Sequence, residues 1–386
     1  MFAAIPDASA PPGRPARLPG FDVVRGVALI GVVVMNYHGY LNGGSGTDPS
    51  WAERLFDPFR GPLSTRFAAT FVMIAGVGVV LLTNRARLGG EPQEIARERW
   101  RLIRRGVFLL TLGYVVDWIW QGTILFYYGA MFILAAGLFT LRIRWLVGIG
   151  WASVLAAWSI QLWALQRFLD GSSADALLAE GRWSWDPASM RSPWRLVTDI
   201  WVNGTHPLLP WLGFFCAGMV IGRLIPHLDV WRRGLMLAGG VLLGAGYGIA
   251  TVIDRAITEP DRPFLVHLSA LGQTDPYSRQ PLSFVTTFGS SLIAVVGIAW
   301  LGDRYASSPV IDVLRRAGQM TLTLYLAHIV VFDLLVTDLG MVQPTGLDTA
   351  LVFAVCFWVV AIAAGSFWNR VVGRGPAEWV YRKFSE

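Results

Sequence analysis

Apolar positions in this chain come in long blocks, with short polar stretches between them. The blocks lie at 20–41, 64–84, 103–120, 123–141, 144–166, 207–225, 233–254, 282–301, 318–337 and 348–371. Each is close to the ~20 residues that cross a hydrocarbon core. Almost every position inside a block is apolar, so neither helical period nor strand alternation can be read there, and length and flanks set the boundaries. The pattern predicts an all-α polytopic membrane helix bundle of about ten transmembrane helices. Residues 1–19 read as a disordered N-terminus, 20–372 as one transmembrane domain, and 373–386 as an amphipathic tail at the interface. In that tail Trp379, Tyr381 and Phe384 sit beside Arg382 and Lys383.

Composition agrees with a membrane solvent. The 386 residues are 54% hydrophobic and 15% charged, against ~25% charged in soluble domains. The formal charge is +6, and every basic residue except Lys383 is arginine. With an N-terminus inside, connection 85–105 carries Arg85, Arg87, Arg97, Arg99, Arg101, Arg104 and Arg105 on the cytoplasmic side. The positive-inside rule then accounts for the excess without a nucleic-acid partner, and places both termini in the cytoplasm. The first twenty residues lack a signal-peptide core, so Phe21–Tyr40 reads as a retained first span. Cys216 and Cys356 lie in apolar blocks, which leaves no disulfide framework or CxxC metal site. No HExxH, Walker A or GxSxG motif occurs, and no metal is expected.

Ionisable groups inside spans are costly and become functional candidates. Asp22 and Arg25, one helical turn apart, lie near the cytoplasmic face, with Arg104, Arg105, Arg315 and Arg316 at span mouths. They suit either an ion pair with topology signals or an arginine-lined seat for a phosphorylated cofactor. Asn36, His38, Arg66, Asp117, His206 and Asp333 lie toward the far face, and His328 near mid-membrane. His38 and His206 are candidate proton acceptors or acyl carriers. At ~100° per residue Asn36 shares a face with Asp22 and Arg25, whereas His38 points nearly opposite. His328 reads as a packing residue. The spans' glycines, Gly76, Gly78, Gly213, Gly218 and Gly222, read as close-packing positions.

The stretch "FDVVRGVALIGVVVMNY", with its Asp-x-x-Arg-Gly start and terminal Asn, resembles the first helix of the heparan-α-glucosaminide N-acetyltransferase-like (YeiB) superfamily of membrane acyltransferases. "STRFAATFVMIAGVGVVLL", "HPLLPWLGFFCAGMVIGR", "LRRAGQMTLTLYLAHIVV" and "GPAEWVYRKF" resemble further blocks of that family, in order. The resemblance implies an acyl-CoA tunnel open to the cytosol and transfer of an acyl group, acetyl first, to a sugar amine or hydroxyl across the membrane. It places Asp22 and Arg25 on the family's Asp and Arg, Asn36 on its Asn or His, and Arg66 on its second-helix Arg. The histidine proposed for the heparan enzyme falls where this chain reads "NGGSGTD", so His38 takes that role by proximity.

The resulting expectation is a multi-pass enzyme of the plasma or inner membrane. Catalysis would involve His38, His206, Asn36, Arg66 and Asp117; acyl-CoA binding would involve Asp22, Arg25, Arg104, Arg105, Arg315 and Arg316. Partners would be acyl-CoA, an extracytoplasmic sugar or glycolipid acceptor, membrane lipids and a second copy of the chain. Trp183, Trp185 and Trp194 would stack on sugar rings or belong to the interfacial belt. The rival expectations are a transporter or flippase for a lipid-linked or small polar substrate, and a non-catalytic membrane binding protein.

Overall fold

A helix occupies each of the ten apolar blocks. The computed structural model describes residues 19–41, 50–59, 61–169, 193–258, 262–275, 278–343 and 347–386, and among them there is no strand. The helices are α1 (Pro19–Tyr40), α2 (Trp51–Phe56), α3 (Arg66–Gly89), α4 (Pro92–Val116), α5 (Ile124–Leu138), α6 (Ile143–Leu169), α7 (Pro193–Thr198), α8 (Leu208–Leu224), α9 (Leu228–Ala256), α10 (Pro263–Gly272), α11 (Pro281–Arg304), α12 (Pro309–Gln319), α13 (Thr321–Phe332), α14 (Leu347–Val371) and α15 (Pro376–Ser385). Helices α7 and α13 run on into π-helical turns at Asp199–Asn203 and Asp333–Asp338. Among the described residues seven segments are long and apolar enough to cross a membrane. One of them, Leu208–Ala256, contains both α8 and α9. The chain is an integral membrane protein of all-α class.

Helix α1 sits at the centre, packed against α3, α11, α12 and α14. Most of its residues are buried, as a helix apolar on all sides requires. Around it, α3 packs on α8, α4 on α5, α6 on α8, and α9 on α11. These contacts are close because glycine faces backbone: a Cβ on Gly218 would stand 1.8 Å from the Met73 carbonyl oxygen, and one on Gly318 1.8 Å from that of Asp22. Gly78 is not such a position: a Cβ there would stand at ordinary contact distance, 3.5 Å, from the Arg25 guanidinium beside it. Faces of α9 and α14 expose Leu237, Val241, Val252, Val355, Val359 and Val360, the surface expected against lipid.

Two boundaries differ from the sequence expectation. The arginine-rich connection before residue 103 is itself helical, because α4 starts at Pro92 with proline in its first turn, where no N–H is needed. The block 318–337 is broken at Met320 (φ −120, ψ 29) between α12 and α13. The α13 N-terminus beyond the break is closed by Glu378 of the tail helix α15, which accepts from Leu322 N at 2.6 Å and Thr323 N at 3.1 Å. A carboxylate there satisfies orphan N–H groups and complements the helix dipole. Residues 1–18 of the expected N-terminal region lie outside the described residues.

Candidate functional site

Asp22 and Arg25 open α1, and Asn36 lies eleven residues on, about 16 Å away at ~1.5 Å per residue and on the same face. A cavity lies at each end of that face. The cavity at the arginine end has a volume of about 270 Å³ and is lined by Arg25, Arg105, Gln319, Tyr128, Glu378 and Tyr381, among others. The cavity at the other end, about 70 Å³, is lined by Asn36, Met35, Phe67, Gly122, Ile124 and His206, among others. Tyr325 lines both. At the start of α5, Ile124 belongs to the smaller cavity and Leu125 to the larger. Tyr325 and the start of α5 therefore stand between the two cavities as shared wall.

Tyr325 is pinned at that junction. Its hydroxyl lies 3.1 Å from Thr123 Oγ1 and accepts from Ile124 N at 3.4 Å. Its backbone carbonyl bonds His328 Nδ1, and since a carbonyl only accepts, that nitrogen carries the proton. His328 Nε2 is then the acceptor for the Asn36 amide nitrogen at 3.1 Å. The Tyr37 hydroxyl donates to the His328 carbonyl at 3.0 Å. His328 is fully buried with both ring nitrogens engaged, and its chemistry here is to orient Asn36.

His206 is held differently. Thr205 Oγ1 donates to the Gly122 carbonyl at 3.2 Å, which leaves that oxygen to accept from His206 Nδ1 at 3.0 Å. Nε2 of His206 is then the basic nitrogen. Thr205 N donates to the Tyr127 hydroxyl at 3.0 Å, and the ring stands edge-on to Trp211 at 4.6 Å between centroids. Arg279, 8% exposed, grips the same loop by donating to the Gly204 carbonyl at 2.6 Å and to the Val202 carbonyl. Burial, with the Arg279 guanidinium behind it, pushes the His206 pKa down, so the ring is neutral at pH 7.

At the arginine end, Arg25 pairs with Asp22 at 3.4 Å, and Asp22 also accepts from Gln319 Nε2 at 3.1 Å. Arg105 stacks over Tyr381 at 5.3 Å and donates to Ser385 Oγ at 3.3 Å. The tail helix α15 thus forms one wall of the cavity through Glu378 and Tyr381, in addition to its exposed Trp379 and Phe384. Tyr128, which lines the same cavity as Arg25, is 6% exposed and its hydroxyl is buried without a hydrogen-bond partner among the described residues.

The structure distributes the remaining candidates elsewhere. His38 is fully buried, its Nδ1 2.6 Å from the Val34 carbonyl and its ring against Phe56 at 5.4 Å. It lines neither cavity. Arg66 faces α9 and α11, donating to the Thr286 carbonyl at 2.8 Å, Ser290 Oγ at 2.6 Å and the Tyr247 hydroxyl at 2.6 Å. Asp117 accepts from Gly122 N at 2.8 Å and so holds the turn that carries Gly122 into the smaller cavity. Arg315 and Arg316 both pair with Asp312, and Arg316 also donates to Asn369 at 3.1 Å. Arg104 is exposed. Trp194 is 74% exposed, while Trp183, Trp185 and the "NGGSGTD" stretch lie outside the described residues. Among the described residues no group of three metal-ligating side chains exists.

Tyr128, Thr205 and Glu378 carry no expectation from the sequence, and Tyr381 is expected there only as part of the interfacial tail. The one available signal was the pair Tyr127-Tyr128 in the otherwise apolar "ILFYYGAMFILAAGL".

A family model described as Heparan-alpha-glucosaminide N-acetyltransferase, catalytic, matches residues 17–243. A second, described as Protein of unknown function (DUF418), matches residues 262–386. No curated protein matches the chain. Arg25, Asn36, Arg105, Tyr128 and His206 fall in the first segment, and Tyr325, His328, Glu378 and Tyr381 in the second, so both cavities are built from the two segments together.

Proposed function

This chain belongs to the heparan-alpha-glucosaminide N-acetyltransferase catalytic family, and from that premise we propose that it is an acyl-CoA-dependent membrane acyltransferase. It takes an acyl group, acetyl first, from cytosolic acyl-CoA and passes it to a hydroxyl or amine of an extracytoplasmic sugar or glycoconjugate. The arginine end faces the cytoplasm, in keeping with the arginine distribution, and the membrane is the plasma or inner membrane.

One observation carries this reading: a cavity lined by two arginines and a cavity lined by His206 share Tyr325 as a wall residue. The larger is lined by Arg25 and Arg105, whose guanidinium groups suit phosphate oxygens. The smaller holds a neutral imidazole whose Nδ1 is occupied. An acyl-CoA entering from the arginine end extends its pantetheine arm along the α1 face from Arg25 toward Asn36. Arg25 and Arg105 hold the charged part, with Asp22 and Gln319 fixing Arg25.

At the junction the acceptor's lone pair attacks the thioester carbonyl carbon while its proton passes to His206 Nε2. The carbonyl π pair moves onto oxygen. When the tetrahedral adduct collapses, the C–S bond breaks, its electrons leave on the CoA sulfur, and the sulfur takes the proton from His206. Asn36, its amide nitrogen committed to His328, offers its carbonyl oxygen to orient the acceptor. Asp117 acts at one remove, by holding the Gly122 turn.

The test is acetyl-CoA binding to the purified protein in detergent, followed by CoA release with glucosamine as acceptor. Binding lost in Arg25→Ala, and turnover lost with binding retained in His206→Ala, are expected. No acetyl-CoA binding by the wild-type protein would return the chain to the transport reading.

A further inference from the structure

The hydroxyl of Tyr128 has no hydrogen-bonding role among the described residues. The residue lines the larger cavity and is only 6% exposed, and its hydroxyl is buried with no group among the described residues bonding it. An unpaired buried hydroxyl costs about 1–3 kcal/mol, and phenylalanine in its place would pack equally well on Phe71, whose ring centroid is 5.6 Å away. A donor kept at that cost has a partner that arrives.

We propose that Tyr128 is a catalytic residue that donates a hydrogen bond to the carbonyl oxygen of the acyl thioester and holds it as negative charge develops there. The inference rests on the acyl-CoA reading above. Position selects the carbonyl over other parts of the ligand. Tyr128 lies one helical turn from Ile124 and Leu125, which line the smaller and the larger cavity respectively, and within electrostatic range of both Arg25 and Tyr325. A thioester attacked from the His206 side must bring its carbonyl carbon to that junction. The phosphates belong farther back, at Arg25 and Arg105. A neutral phenol suits an oxygen that gains charge only during the reaction, because the donor is in place beforehand and need not reorganise. Tyr128 keeps its proton throughout: the carbonyl π pair moves onto the oxygen facing it and returns when the C–S bond breaks.

The experiment is Tyr128→Phe, read four ways on protein in detergent: thermal unfolding of the free protein, affinity for CoA, affinity for acetyl-CoA, and turnover with glucosamine. The expected result is an unchanged or raised Tm, unchanged CoA affinity, and kcat lower by about 100-fold, the loss typical of one oxyanion donor. A fall in Tm would show that the hydroxyl has a partner within the protein and overturn the proposal. Equal losses of CoA and acetyl-CoA affinity would assign it to the pantetheine arm instead. Turnover within about threefold of wild type would also refute the role while leaving the acyltransferase reading intact. Failure of the wild-type protein to bind acetyl-CoA would remove both.

Discussion

His206 and His38 both lie toward one end of the bundle, and the structure gives them opposite expectations on mutation. His206 lines the smaller cavity and its Nδ1 proton is taken by Thr205, so His206→Ala removes a positioned base. General-base catalysis contributes roughly 10²–10⁴ in rate, and kcat should fall by that factor. The ring is part-buried against Trp211, and its loss should cost about 1–2 kcal/mol of stability. His38 is fully buried with its Nδ1 on the Val34 carbonyl. His38→Ala should cost about 2–4 kcal/mol through lost packing and a lost hydrogen bond, while the folded fraction turns over at a rate near wild type.

The assay is CoA release under saturating acetyl-CoA and glucosamine, normalised to folded protein by size-exclusion peak area, with Tm measured in parallel. The pH profile adds a second constraint. Only the neutral imidazole accepts a proton, and the folded pKa of His206 lies below the usual ~6.5. The rate should therefore stay flat as pH falls through 6.5 and drop only at lower pH. Linkage runs the same way: between the two pKa values the unfolded chain binds more protons, so stability declines as pH falls below ~6.5. A His206→Ala enzyme with normal kcat, beside a His38→Ala enzyme that is folded and inactive, would refute the assignment of the base.

Four further outcomes follow from the same geometry. Thr205→Val leaves His206 Nδ1 without its acceptor, worth about 1 kcal/mol of tautomer preference, so kcat should fall about fivefold while Thr205→Ser stays near wild type. Gly78→Leu crowds the Arg25 guanidinium and should raise KM for acetyl-CoA with kcat little changed, as steady-state kinetics would show. Glu378→Gln removes the charge closing α13 and should cost roughly 1–3 kcal/mol, visible as a lower Tm and faster proteolysis of α15. Gly218→Ala sets a methyl against the Met73 carbonyl, and should lower Tm far more than Gly78→Ala does.

The parts of this fold legible from sequence are those in which the membrane is the partner. An apolar block of fixed length needs no knowledge of its neighbours, so α1, α3, α6, α8, α9, α11 and α14 lie within a few residues of where hydropathy places them. The same holds for one-helix geometry. Three full turns separate Arg25 from Asn36, and the two line successive cavities, while His38 faces Phe56 instead. What escaped the sequence are the features set by distant segments. The break at Met320 lies in the run Gly318-Gln319-Met320-Thr321, which nothing local stops from continuing as helix. It is accompanied by the approach of Gly318 to Asp22 and by a carboxylate 56 residues from Leu322.

The junction between the cavities is the extreme case. Tyr325 meets Thr123 across 202 residues and Asn36 meets His328 across 292. In a block such as "TLTLYLAHIVV" a tyrosine reads as packing, because burial and chemistry use the same side chain. Polar aromatics inside apolar spans therefore separate into two classes only once their hydroxyls are followed to a partner. Tyr37 and Tyr325 each have one within the bundle. Tyr128 has none among the described residues, and that unfilled bond, rather than any motif, is what the proposed oxyanion role rests on.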